Sequence, residues 1–484
     1  MKLQGGGRVR DRPSWCMLRE RGPARSGGRR TGTRSRKGAP MTRSLNDKIE
    51  DHPGALEMLR NAPTGFYRFP VPDEHTNWRV EQAAWHETAV LFEQSFHMTD
   101  LYVSGPDRIR LLADSSINNY TAFDAMKAVQ TVVVSDSGHI VGDAVTFHLP
   151  TGEVQVVGKP SCGNFLEYAA GRGGYDVALR KDVRVVEGDG RRETYRFQVQ
   201  GPNAFGILEA AAGGPLPETR FFGMCEFAIA GCRVTGLRHG MAGAPGLEFW
   251  GPYAERERVL DAVLEAGEGF GLRRGGGRAY STAGPQSGWV GAVLPAVWTG
   301  EDMAAYRDWL PETSYEATLS VGGSLDGTDI RDWYLDPWDV GYHRLIHWDH
   351  QFRGRDALLA MRDRPHRRKV WLQWNPEDVL RVQGSMLRDG PTCKHLEMPA
   401  AHYATCPYDK VLMDGRPVGM SVYAAYTMAV GGWFSIGIVN EADVALGSEV
   451  GIVWGEPDGG TRKPTVEPHV QTTIRARMTR TALG

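Results

Sequence analysis

Three stretches of this chain follow one plan: a short alternating strand, a Gly-Pro pair, then a helix. They read "LYVSGPDRIRLLAD" from Leu101, "FQVQGPNAFGILEA" from Phe197 and "LEFWGPYAERERVLDAVLEAG" from Leu247. Apolar residues alternate with the others in each strand: Leu101 and Val103 against Tyr102 and Ser104, Phe197 and Val199 against Gln198 and Gln200, Leu247 and Phe249 against Glu248 and Trp250. Apolar spacing of three and four then follows, as in Ile109/Leu112 and Val259/Val263/Ala266, which marks amphipathic helices. A proline beside each helix start suits a first-turn position. A strand–helix unit cannot bury its apolar face alone, so the repeats predict an α+β architecture of duplicated, mutually packed units.

The same alignment isolates two polar residues. Gln198 and Glu248 each stand three positions before the repeat glycine, on the polar face of their strands. On neighbouring strands they would converge on one ligand; otherwise they face solvent. Alternation alone leaves both readings open.

Other elements are coarser. The run "AAWHETAVLFEQ" reads as an apolar helix leading to His97, and "FRGRDALLAMRDR" as a helix ending near Pro365. From Arg367 the texture changes to short strands, "RRKVWLQW", "GMSVYAAY", "FSIGIVN" and "EVGIVWG", separated by Gly, Pro and Asn turns. The domain expectation is therefore a basic extension over 1–45, an α+β region over 46–366 and an all-β, barrel-like domain over 367–484. Residues 1–40 hold 12 Lys/Arg against 2 Asp/Glu and show no periodicity, so they are expected to be disordered. Met41 is the expected working start.

Charge and cysteine usage exclude several classes. Beyond residue 40 the chain carries 44 Lys/Arg against 56 Asp/Glu, and an acidic body argues against nucleic acid as the main partner. The 6 cysteines lack any C-x-x-C pair, which fits neither a disulfide framework nor a zinc site and points to the cytoplasm. The longest uncharged run, Val422 to Val439, is broken by Gly431-Gly432 and reads as two strands and a turn rather than a membrane span. His343, His347 and His350 cluster without a carboxylate–histidine signature, so no metal is expected. "GFGLRRGGGRAY" lacks a following helix and is not a phosphate cradle. Tyr280, after those glycines, stands where its side chain could reach a cleft; packing as an ordinary loop tyrosine is the alternative.

Collectively "GYHRLIHWDHQFRGRDAL", "RKVWLQW", "VGMSVYAAY", "GGRAY" and "RHGMAGAPGLEFWGPY" resemble the glycine cleavage T-protein superfamily, and within it the tetrahydrofolate-dependent aryl O-demethylases acting on vanillate, 3-O-methylgallate or syringate. The resemblance covers nearly everything after Met41. It implies a three-domain clover-leaf, two interleaved α/β domains plus a C-terminal β-barrel-like domain, with tetrahydrofolate in the central channel. The implied reaction moves a methyl group from a methoxylated aromatic acid to N5 of tetrahydrofolate, releasing a phenol. It also implies roles: Tyr280 as catalytic acid; Glu248, Gln198 and Trp289 as folate contacts; His97, Gln94, Tyr67 and Lys159 around the aromatic substrate. The chain departs from the family at Lys159, where an arginine pairs with the substrate carboxylate, and at Phe69 and Phe96, which replace a tyrosine and a histidine. Gly142 replaces the acid beside Asp143. Two other functions stay open, an aminomethyltransferase-type enzyme and a non-catalytic folate-binding scaffold.

Overall fold

The computed structural model describes residues 42–480. Its first long helix, Trp78–Glu87, is capped by Asn77, which accepts from the Val80 N–H, and ends sooner than expected. Residues Ala89–Glu93 form a strand instead. Ala89, Val90, Leu91 and Phe92 are all buried, so both strand faces are covered and the alternation that would mark a strand is erased. This correction matters, because the strand delivers Gln94 and His97 to the site.

That strand belongs to a six-stranded sheet in the order Leu272–Gly275, Ala89–Glu93, Thr194–Gln200, Gly246–Pro252, Cys232–Arg238, Met224–Ile229. Its first pair is parallel and the rest antiparallel. After Glu93 the chain leaves to build a second, antiparallel sheet of five strands, ordered Lys127–Val134, Ile140–His148, Val154–Gly158, Thr99–Ser104, Ala178–Asp182. It then returns at Thr194. The two α/β lobes are thus interleaved in sequence. On the first sheet, Tyr195, Phe197, Val199, Leu247 and Phe249 form one apolar core with Ile207, Leu208, Val259 and Val263 of helices Ala204–Ala212 and Arg256–Gly267. The opposite face mixes Arg196, Gln198, Gln200 and Glu248 with apolar Val90, Phe92, Leu237 and Trp250.

The repeat is visible atom by atom in its first two copies. Gly105 and Gly201 have φ of 103° and 131°, and a Cβ there would stand 2.5 and 2.6 Å from the carbonyl oxygens of Asp176 and Thr88. Those same carbonyls accept from the N–H of Asp107 and Asn203 at 3.3 and 2.9 Å. Asp107 and Asn203 are the N-caps of helices Arg108–Ser115 and Ala204–Ala212, so Pro106 and Pro202 sit one residue outside the caps. The expected first-turn prolines are corrected accordingly: the sharp glycine turn places them in the link, where no N–H is needed. In the third copy Gly251-Pro252 remains in its strand and a 3-10 turn, Tyr253–Glu255, precedes the helix.

Beyond Arg367 six antiparallel strands close into a barrel: Cys406–Met413, Arg416–Thr427, Gly432–Asn440, Arg367–Trp374, Thr472–Thr479, Glu449–Trp454, and back through Val411 opposite Ile452. The expected strand–turn–strand over 422–439 is there. The region is not wholly β, however; Asn375 caps a helix, Pro376–Ser385, that the all-β reading missed. Of the extension expected over 1–45, residues 42–45 are described: Ser44 caps helix Leu45–Glu50, and Leu45 is fully buried. The remainder of that expectation, with Met41 and Cys16, lies outside the described residues. Among the described residues the five cysteines are buried and unpaired, and no helix is long and apolar enough to cross a membrane.

Candidate functional site

Strand pairing decides the question about Gln198 and Glu248. They are direct partners across the antiparallel pair Thr194–Gln200 and Gly246–Pro252, and Phe92 continues the row on the next strand. Neither faces bulk solvent: Gln198 is fully buried and Glu248 is 8% exposed. Arg196, two residues along the same face, donates through Nη1 to Glu248 Oε1 at 2.6 Å. Glu248 Oε2 takes no hydrogen bond from any described residue. A fixed carboxylate with one open oxygen beside a buried amide suits a ligand edge carrying adjacent N–H donors.

The charge behind this row extends inward. Arg196 also reaches Asp100 at 3.3 Å, and Asp100 pairs with Arg192, which lies 3.2 Å from Asp182. All four are nearly fully buried. Sequence reasoning missed this ion chain, though one signal was present. In "RFQVQ" the alternation that singles out Gln198 and Gln200 puts Arg196 on their face.

Tyr280 stands on the neighbouring edge of the same sheet. Strand Leu272–Gly275 leads into a one-turn helix, Gly277–Tyr280, which corrects the expectation that no helix follows the glycine run. Gly276 permits the turn by close approach, since a Cβ there would strike the Asp73 carbonyl oxygen at 2.3 Å. The turn drops the Tyr280 ring against Phe92, centroids 5.1 Å apart, with the hydroxyl 3.2 Å from His97 Nε2. Gln94 Nε2 donates to that hydroxyl at 3.1 Å and also to Gln198 Oε1. Gln198 in turn lies 3.3 Å from His239 Nδ1. Gln94 Oε1 is buried with no partner.

Electrostatics fix the protonation states. Burial, aided by the Glu248 charge, raises the Tyr280 phenol well above its ordinary range, so it stays protonated. Burial pulls His97 down to about 3, with Arg192, Arg184 and Arg196 reinforcing the shift, so the imidazole is neutral. A protonated phenol held between a neutral imidazole and an amide N–H can give up its proton while the amide steadies the oxygen left behind.

The remaining expected residues fall into two groups, Trp289 with Lys159 and Tyr67 with Phe69. Trp289 donates its indole N–H to Asp143 Oδ2 at 3.1 Å and lies 3.0 Å from the Tyr342 hydroxyl, which itself donates to Asp143 at 2.7 Å. Gln130 adds a third donor to the same oxygen at 2.8 Å. Asp143 therefore anchors the indole of Trp289, a residue 42% exposed. Lys159 turns its ammonium to the Gly291 carbonyl, 5.9 Å from the Trp289 ring centroid, and burial lowers its pKa. Tyr67 packs edge-on to Phe69, centroids 5.3 Å apart, and Phe69 reaches both His97 and Tyr280 at 5.1 and 4.8 Å. The Tyr67 hydroxyl is buried with no partner in hydrogen-bond geometry.

Residues 61–287 match the GCVT N-terminal domain family. A syringate O-demethylase of Sphingobium sp. is 43% identical over 438 residues, spanning 90% of this chain and 95% of that protein. The chain belongs to this O-demethylase family of the glycine cleavage T-protein superfamily. A sesamin methylene transferase of Sinomonas sp. is 29% identical, covering 80% of the chain and 86% of the relative. The crystal structure of glycine cleavage system aminomethyltransferase T from Bartonella henselae superposes with a TM-score of 0.56 at 15% identity, covering 91% of this chain and 96% of the other. The clover-leaf of two interleaved α/β lobes and a C-terminal barrel is that superfamily's fold. Gly142, beside Asp143, has no room for a side chain: a Cβ would meet Ser161 Oγ at 2.7 Å and the Cys162 nitrogen at 2.8 Å.

Proposed function

We propose that this protein transfers the methyl group of a methoxylated aromatic acid, of the vanillate or syringate kind, to N5 of tetrahydrofolate, giving the free phenol and 5-methyltetrahydrofolate. The observation that carries the reading is the Tyr280 hydroxyl, kept protonated and hydrogen-bonded to Gln94 and 3.2 Å from His97, beside the Gln198–Glu248 row. Family membership supports it, because the 43% identical relative is a syringate O-demethylase.

Tetrahydrofolate supplies the nucleophilic nitrogen. Its donor edge fits the open Glu248 oxygen, with the unpartnered Gln94 Oε1 and the Gln198 amide adjacent, while Trp289 offers an aromatic face. The protein's own task is the leaving group. An aryl oxide departs poorly, and as the methyl–oxygen bond breaks, its electron pair stays on oxygen. Tyr280 donates its proton to that oxygen, Gln94 Nε2 stabilises the tyrosine oxygen as charge develops there, and the proton shed by the methylated nitrogen would restore the phenol. Neutral His97 orients the hydroxyl and is free to hydrogen-bond a ring hydroxyl of the substrate. Such general-acid assistance is worth ~10²–10⁴ in rate; alignment of the reacting atoms supplies the rest.

An aminomethyl donor is the second reading. It calls for an acid near the reacting nitrogen, yet Gly142 has no room for one and Asp143 is consumed by three donors. The deciding experiment incubates purified protein with tetrahydrofolate and either methoxybenzoates or an aminomethyl donor. Phenol and 5-methyltetrahydrofolate are expected in the first case only; turnover of the amine alone reverses the assignment.

A further inference from the structure

A large cleft of about 1580 Å³ is lined by Tyr67 and Phe69, and Phe69 packs against the Tyr280–His97 pair. Three polar side chains from separate parts of the chain line it. Arg184 follows the strand Ala178–Asp182 and is 7% exposed, its guanidinium carbon 5.2 Å from the Tyr67 centroid and 4.8 Å from the Tyr315 centroid. Glu187 takes its Nε at 2.7 Å and also contacts Nη2, and the guanidinium engages Tyr67 as well. The Tyr67 hydroxyl is buried, with Arg184 as its polar neighbour and no partner in strict hydrogen-bond geometry. His402, a barrel-lobe residue 5% exposed and packed on Phe66 at 4.7 Å, has the Ala424 backbone as its polar neighbour and no ring nitrogen in strict hydrogen-bond geometry.

A guanidinium, a hydroxyl and an imidazole lining one cleft among aromatic rings suit a planar aromatic carboxylate. Lys159, the charge expected to take that role, does not line this cleft; its ammonium is already held by the Gly291 carbonyl. Phe69 does line it and touches both Tyr280 and His97, so the cleft's apolar wall runs up to the reacting pair.

Building on the proposed demethylation, we infer that Arg184, with the Tyr67 hydroxyl and His402, binds the carboxylate of the aromatic acid and sets the preference for acids over neutral methoxyphenols. Arg184 is a specificity residue here; it does not touch the reacting atoms.

The test compares kcat/KM for a methoxybenzoate and for the methoxyphenol that lacks its carboxylate, together with calorimetric binding of the acid, in the full chain. Arg184→Met is expected to lower kcat/KM and affinity for the acid roughly 10- to 100-fold, as for loss of a charge-assisted hydrogen bond, and to lower those for the neutral compound far less. Tyr67→Phe gives a smaller loss on the acid alone, and Arg184→Lys restores part of it. A misfolded variant loses both compounds together, and the milder Tyr67→Phe and Arg184→Lys variants then decide. The inference is overturned if Arg184→Met leaves acid binding intact, or if Lys159→Met alone abolishes the preference. Should wild type bind the acid through Arg184 yet transfer no methyl, the subsite stands and the proposed reaction fails. Methyl transfer insensitive to Arg184 leaves the reaction and sinks the subsite.

Discussion

The Tyr280 hydroxyl and His97 Nε2 lie 3.2 Å apart, although 183 residues separate them in the chain. One comes from a one-turn helix after an edge strand and the other from the loop after its parallel neighbour, Ala89–Glu93. Because burial holds the phenol protonated and the imidazole neutral, the proton sits on tyrosine before reaction.

Tyr280→Phe removes that proton and little volume. We expect turnover to fall by ~10²–10⁴ while tetrahydrofolate affinity changes little, since the Glu248 contact is untouched. Single-turnover kinetics alongside a folate titration check this. Unchanged turnover removes tyrosine as the acid.

Arg196 and Glu248 test the buried row differently. Arg196→Met strands Glu248 and one oxygen of Asp100 without their shared cation, and about 3–5 kcal/mol of stability should be lost. Glu248→Gln keeps the shape but gives up the charge-assisted acceptor, so tetrahydrofolate binding should weaken by roughly tenfold or more. Urea unfolding and calorimetry separate the two outcomes.

His402 predicts an acid-sensitive stability. Its pKa is held at about 3 by burial, against 6.5 ordinarily. Below pH 6.5 the unfolded chain binds a proton that the fold refuses, so stability is fully present above 6.5 and falls as pH drops toward 3. The slope from this group approaches ~1.4 kcal/mol per pH unit. His402→Phe should flatten that limb in denaturation curves collected between pH 4 and 7 (roughly the span where the difference accumulates). An unaltered profile means the imidazole titrates normally.

Gly105→Ala and Gly201→Ala should destabilise alike. Both residues have positive φ, and both would drive a methyl into a backbone carbonyl at 2.5–2.6 Å. A loss of several kcal/mol is expected in each, combining backbone strain with a clash that only main-chain movement relieves. Thermal melts of the two variants give the comparison; a tolerated alanine at one site alone shows that the repeats are not equivalent.

The sequence by itself determined the strand–glycine–helix units, the amphipathic faces of Gln198 and Glu248, and the strand-rich texture after Arg367, because these depend on residues a few positions apart. It misread Ala89–Glu93, since a strand buried on both faces carries no alternation. Only the tertiary structure decided what the polar residues meet. Sheet order placed Gln198 opposite Glu248, and return of the chain to its first sheet brought Arg196 to Asp100 across 96 residues. The fold gave Asp143 to Trp289 and Tyr342 and opened Arg184 toward a cleft shared with His402. Local periodicity reflects covalent neighbours, whereas hydrogen-bond and ion partners follow from which strands lie side by side, and no short-range pattern encodes that.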